Sequence, residues 1–179
     1  EIKKQRESGA EEIKARRDLR SITTFAMEPI DAEDFDDAVS VQKLPADLFE
    51  IGIHIADVSH YVHPGSAIDR EAKKRGTSIY LVDRTIPMLP EILSNDVCSL
   101  NPHEDKLAYS AVFVLDRAGR VKKRWFGKTV IHSDRRFTYE EAQGVLDAKK
   151  GDYQEELSIL DGIAKALRKE RFKRGAIEF

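Results

Sequence analysis

Between Glu28 and Asp37 the chain places six carboxylates in ten positions, Glu28, Asp31, Glu33, Asp34, Asp36 and Asp37, with no Lys or Arg among them. Side chains packed this closely repel one another, and each carboxyl pKa rises unless a cation lies among them. A divalent ion is the economical answer. Ligation by oxygen alone suits Mg²⁺ or Mn²⁺, which keep waters and substrate phosphate oxygens in their shells, so the chemistry to expect is phosphoryl chemistry. Asp34 and Asp36 are two residues apart and would share one face of a strand, whereas Asp37 would point the other way. Convergence therefore requires an irregular loop that enters a strand near Ala38. The bland alternative is a solvated acidic loop, but the interleaved Phe25, Met27, Ile30, Phe35, Ala38 and Val39 argue against a freely solvated tract.

Two other acidic motifs fit worse. An EF-hand loop starting at Asp31 needs Asp or Asn at its fifth position and Gly at its sixth, and the chain has Phe35 and Asp36 there. "DFDDA" has the D-x-D form of the aspartyl-phosphate phosphatases, whose nucleophile ends a buried apolar strand. Here the polar, Pro-containing "MEPIDAE" precedes it.

The elements that must position these carboxylates read as follows. "AVSVQKL" and "LFEIGIHIADVSHYV" alternate apolar and polar residues around the turn "KLPADL", which predicts an antiparallel pair. "GSAIDREAKKRG" predicts a short helix with Ser66 as N-cap and Gly76 as stop. A strand "TSIYLV", a Pro-bounded connector "RTIPMLPEILSND" and two long strands, "KLAYSAVFVLD" and "RVKKRWFGKTVIHS", joined through "DRAGR" come next. After "FTYEEAQGVLDAKK" the chain turns helical, with Leu157, Leu160, Ile163, Ala164 and Leu167 at helical spacing. "GAIEF" reads as the start of another strand. The expected class is α+β, a mostly antiparallel sheet with helices toward the C-terminal end, over residues 17–179. Residues 1–16 read as a peripheral charged helix or arm interrupted by Gly9.

Composition sets the limits. With 179 residues and 41% hydrophobic content, the chain can bury a core. Thirty basic against thirty-two acidic residues give a charge of -2, so any site for a polyanion must be local. A single cysteine, Cys98, favours the cytoplasm, and no apolar run reaches the roughly 20 residues of a membrane span. His54, His60 and His63 read as hydrogen-bonded structural histidines, because strand alternation and an oxygen-rich site argue against zinc. Asp57 reads as near the cavity or as a turn cap. Cys98 reads as packing, and the basic pairs and triplets, Arg135–Arg136 included, read as solvated faces.

"RRDLRSITTFAMEPIDAEDFDDAVSV", "IGIHIADVSHYV", "PGSAIDREAKKRGTSIYLVDRTIPMLPEILSNDVCSLNP" and "RGAIEF" together resemble the RNB catalytic domain of the RNase II/RNase R family, and look more like its RNase R branch. The resemblance runs from about Arg17 to the end of the chain. It implies a 3′-to-5′ exoribonuclease that hydrolyses single-stranded RNA with Mg²⁺ or Mn²⁺ and releases nucleoside 5′-monophosphates. Carried over residue by residue, it implies Asp36 as the indispensable catalytic residue, with Glu28, Asp34 and Asp37 as metal ligands. Tyr80 in "TSIYLV" matches a tyrosine that contacts the RNA 3′-terminal nucleotide. Asp31 is a candidate behind the ligands. The resemblance also implies that this is the N-terminal part of a longer catalytic domain. Two positions depart from the family pattern: Glu28 stands where Asp is usual, and Asp96 where Gly is typical. The first keeps open a noncatalytic RNA-binding module of the same fold.

Overall fold

The computed structural model describes residues 10–177. Among these residues nine strands and five α-helices follow one another: α1 (Ala10–Lys14), β1 (Arg17–Asp18), β2 (Thr24–Glu28), β3 (Asp37–Leu44), β4 (Leu48–Ala56), α2 (Val58–Tyr61), α3 (Ala67–Arg75), β5 (Ile79–Tyr80), β6 (Thr85–Ile86), β7 (Asp105–Asp116), β8 (Val121–His132), β9 (Arg135–Thr138), α4 (Tyr139–Ala148) and α5 (Gln154–Lys173). Seven strands form one sheet in the order β1-β8-β7-β4-β3-β2-β9. The four inner pairings are antiparallel and the two outermost, β1 with β8 and β2 with β9, are parallel. The class is α+β with a mostly antiparallel sheet, and α4 and α5 occupy the C-terminal end.

Alternation along the strands sends side chains to two faces, one of them covered only in part. On one, Val41, Phe49, Ile51 and Leu115 meet Ile163 of α5, and Phe25 and Phe137 meet Ala142 and Leu157 of the helix pair. On the other, Ala38, Ala56, Ala108 and Val112 pack under Tyr61, Leu93, Cys98 and Leu100 of the segment between β4 and β7. Beyond α5 the first face carries Ile53, Ile55, Tyr109 and Phe126, all exposed.

Local signals explain most element ends. Ser66 accepts from the Asp69 amide at 3.1 Å, and Gly76 closes α3 in the left-handed region at φ 73°. The β3–β4 hairpin turns through Pro45–Asp47, with Ala46 and Asp47 both at positive φ. The β7–β8 hairpin uses Gly119 at φ 74°.

Several expectations needed correction. "LFEIGIHIADVSHYV" is strand only to Ala56, after which Val58–Tyr61 coils into α2. "TSIYLV" is strand only at Ile79–Tyr80, in a separate two-stranded ribbon with Thr85–Ile86. Helix begins at Tyr139, earlier than the apolar spacing suggested, because Thr138 and Glu141 form a reciprocal capping box. In "GAIEF", Ala176 and Ile177 have no regular structure, and the last two residues fall outside the described residues, as does the break expected at Gly9.

His54 is fully buried and bridges the sheet. Its Nδ1 lies 2.6 Å from Ser110 Oγ and its Nε2 2.9 Å from Ser40 Oγ, and burial, then the charge of Arg17, pushes its pKa down to about 4. Gly52 makes room for this ring: a Cβ there would stand 2.4 Å from Ser40 Oγ and 2.6 Å from the His54 ring. Gly52→Ala should therefore destabilise the fold by about 1–3 kcal/mol, the usual cost of overpacking. Thermal unfolding checks this, and an unchanged midpoint would refute the crowding.

Candidate functional site

β2 and β3 are paired at Thr24–Ser40 and Phe25–Val39, then separate toward Glu28 and Asp37. Residues 29–36 fill the gap as an irregular loop, and the strand resumes at Asp37. This is the loop entering a strand that convergence of the carboxylates required. Phe35 anchors it: the ring is buried, its amide donates to Ser99 Oγ at 2.9 Å, and its carbonyl accepts from the Leu100 amide at 2.9 Å. The Asp36 carbonyl accepts from the Ala56 amide at 3.0 Å, and Asn95 Nδ2 donates to Glu33 Oε2 at 3.1 Å. "SNDVCSL" is thus the backing of the acidic loop; its first residues lie in a π-helical turn, Ile92–Val97, where a Pro-bounded connector was expected. Lys106 braces this turn through the Asp96 carbonyl at 2.6 Å. Not every apolar neighbour is used: Ile30 is 79% exposed.

A cleft of ≈ 680 Å³ opens beside the loop, lined by Glu28, Asp31, Asp34, Tyr80, Arg84 and Asn95 among others. Tyr80 projects from the β5–β6 ribbon, and its hydroxyl donates to Asp34 Oδ2 at 3.4 Å. The ring remains 69% exposed, available to stack. Asp36 and Asp37 do not line this cleft. Asp37 starts β3 opposite Ile55, next to the exposed apolar part of the sheet. Arg84 was not singled out by the sequence; it sits on the same ribbon four residues after Tyr80, a relation that only the hairpin makes visible.

The carboxylates feel one another. Burial, then Asp37, Asp36 and Asp34, raises the pKa of Glu28, with Arg136 opposing. Burial, then Asp34 and Asp37, raises that of Asp36. The charge of Asp34, with burial and the hydrogen bond behind it, raises that of Tyr80, which keeps the phenol protonated as a donor. Among the described residues no ion pair joins Lys or Arg to Glu28, Asp34, Asp36 or Asp37. Neither do three His, Cys, Asp or Glu side chains among them stand close enough to share an ion. The donor set, hard oxygens without an ion-pair partner among the described residues, fits a divalent ion; a closed shell is not preformed.

The remaining candidates sort away from the cleft. Asp57 is buried against Arg16 rather than facing the cavity, 2.7 Å from its guanidinium. Cys98 packs in the core, its thiol pushed up to about 12 by burial. His60 Nδ1 lies 3.6 Å from Glu12 and His132 Nδ1 2.7 Å from Asp105.

Comparison with known proteins decides the family. The model of the RNB domain matches residues 16–179. The chain belongs to the RNB exoribonuclease family. It is 47% identical over 184 residues to DIS3-like exonuclease 2 of Schizosaccharomyces pombe, covering 94% of this chain and 20% of that relative. It is 41% identical to Inactive exonuclease DIS3L2 of Arabidopsis thaliana, over 94% of this chain and 17% of that one. Mycoplasma genitalium RNase R in complex with double-stranded RNA superposes with a TM-score of 0.89 at 32% identity, over 99% of this chain and 33% of that one. This RNB chain therefore spans 17–33% of the length of these three relatives. Among the described residues, no helix is long and apolar enough to cross a membrane.

Proposed function

We propose that this RNB chain carries the metal-holding part of a hydrolytic exoribonuclease that shortens single-stranded RNA from its 3′ end, releasing nucleoside 5′-monophosphates, in the cytoplasm. The observation that carries the reading is the cleft in which an exposed aromatic ring, Tyr80, is tied through its hydroxyl to Asp34 of an uncompensated carboxylate cluster. An aromatic face stacks on any base, which suits a degradative enzyme. Glu28, Asp34, Asp36 and Asp37 would hold Mg²⁺ or Mn²⁺. When bound, such ions lower the pKa of water and stabilise charge on the leaving 3′-oxygen.

The side chains do the rest. Tyr80 donates to Asp34 and so orients that carboxylate while presenting its ring to the terminal base. Arg84, the one cation among the described residues lining the cleft, offsets the repulsion that Glu28, Asp31 and Asp34 exert on an entering phosphate. Phe35, locked by Ser99 and Leu100, keeps Asp34 and Asp36 from drifting with the loop.

The second reading, a noncatalytic RNA-binding module, is favoured by Glu28 itself. Its extra methylene displaces a carboxylate by about an ångström where Mg²⁺ demands near-octahedral geometry. The test is mononucleotide release from 3′-hydroxyl single-stranded RNA by the full-length protein, with Mg²⁺ or with chelator, for wild type and Glu28→Asp. Metal-dependent release by the wild type is expected. An inert wild type revived by Glu28→Asp would mean that Glu28 disables the site; two inert proteins that still bind RNA would establish the module.

A further inference from the structure

Arg136, which the sequence offered only as part of a basic pair, lies on β9 opposite Ala26 of β2, directly under the acidic loop. Its Nη2 donates to the carbonyl of Pro29, the first residue of that loop. Its guanidinium carbon lies 5.6 Å from the ring centroid of Phe35, the loop's last residue but one. One planar group therefore touches both ends of the segment that bears Asp31, Glu33 and Asp34. Its Nε is buried and has no hydrogen-bond partner, and among the described residues no ion pair ties it to a carboxylate of the cluster. That absence of pairing is informative. A guanidinium usually takes a nearby carboxylate in a bidentate grip, which here would consume the metal-holding oxygens. Neighbouring Arg135 does take a carboxylate, its Nη1 2.5 Å from Asp152.

We propose that Arg136 is a positioning residue: it clasps the two ends of the acidic loop through a neutral carbonyl and an aromatic face, and so presents the loop's carboxylates, still unpaired, to a divalent ion. The inference rests on the reading of the site as metal-holding. It requires the shape of the guanidinium and not only its charge, because a lysine ammonium can neither span Pro29 and Phe35 as a plane nor stack on the ring as a guanidinium does.

Charge and shape make opposite demands, and Mn²⁺ affinity separates them. A mere counter-charge beside a cation site weakens metal binding, so its removal in Arg136→Met would tighten Mn²⁺, and Arg136→Lys would match wild type. A clasp predicts that both variants lose Mn²⁺ affinity by at least about tenfold, a difference of about 1.4 kcal/mol in binding. Titration of the full-length proteins with Mn²⁺ alone, followed by electron paramagnetic resonance, gives this number without any assay of turnover. Amide hydrogen exchange in the metal-free proteins reads the clasp itself: the Ala32 and Phe35 amides, bonded to Pro29 O and Ser99 Oγ, should lose protection in Arg136→Lys while β4 and β7 keep theirs. Wild-type affinity in Arg136→Lys, tighter binding in Arg136→Met, or unaltered loop protection would each overturn the proposal. Should Arg136→Met fail to fold, the lysine variant alone carries both readouts. A wild type that binds no Mn²⁺ while loop protection still falls in Arg136→Lys would sink the metal-holding reading, and with it the purpose assigned to the clasp.

Discussion

Asp36→Asn in the full-length protein should abolish nucleotide release, lowering kcat by about 10³-fold or more while RNA binding changes little. The amide keeps the shape of the side chain and removes the anionic oxygen that a metal requires, and loss of several kcal/mol of metal-derived barrier lowering corresponds to about that factor. A control separates this from unfolding. Burial, then Asp34 and Asp37, raises the Asp36 pKa, so the ionised carboxylate weakens the metal-free fold. For a carboxyl raised in this way, the stabilising contribution is present below its unfolded value, near 3.8, and is lost as pH rises through the folded value. At neutral pH the charge is a burden, and metal-free Asp36→Asn should melt no lower than wild type. Adding Mg²⁺ should raise the midpoint of wild type more than that of the variant, since binding to the native state alone stabilises it. Turnover within tenfold of wild type would remove Asp36 from the chemistry. A lower metal-free midpoint would show a structural role instead.

The largest effect on stability should come from a residue that the sequence placed in a peripheral arm. Arg16 is buried, its side chain 1% exposed against 2% for Asp57, and the two meet at 2.7 Å. Its guanidinium also donates to the Ala108 and Thr129 carbonyls at 3.3 Å and to Glu12 at 2.8 Å. Arg16→Met leaves the buried Asp57 carboxylate only Ser59 Oγ at 2.6 Å and the half-exposed Lys128 Nζ at 3.6 Å, and should cost up to about 3–5 kcal/mol, the range found when one partner of a buried pair is removed. Arg16→Met combined with Asp57→Leu should recover most of that loss, because the penalty lies in the orphaned charge. Urea denaturation of the three proteins measures this, and a loss under about 1 kcal/mol in the single variant would show that Lys128 or water compensates the Asp57 charge without Arg16. The pH dependence follows. Burial alone would raise the Asp57 pKa, but donation from Ser59 and Arg16 outweighs it and holds the carboxyl below its ordinary 3.8. The stabilisation is therefore present above pH 3.8 and is lost as pH falls through the depressed native value. The gap between wild type and Arg16→Met should narrow over that acidic range.

The sequence by itself determined the parts whose signal is local. Alternation marked β3, β4, β7 and β8, because a half-buried strand repeats every two residues. Ser66 and Gly76 bounded α3 because caps are chemistry of single positions. Crowding of six carboxylates marked the candidate site, since repulsion between neighbours in the chain needs no fold to be felt. Only the tertiary structure decided what depends on partners distant in the chain. It paired Arg16 with Asp57 across 41 positions and set Arg136 under a loop that begins 107 residues earlier. It cut the strand at Tyr80 to two residues, because the chain turns back through Leu81 and Arg84 into Thr85–Ile86, and left Ile30 in solvent and Ile53 on an uncovered part of the sheet. Patterning reports that a side chain is apolar, whereas what covers it is set by the elements that pack there. The carboxylates follow the same division: their presence is a property of the chain, and their arrangement belongs to the splay of β2 from β3 and to Phe35, Ser99 and Arg136 holding the loop between them.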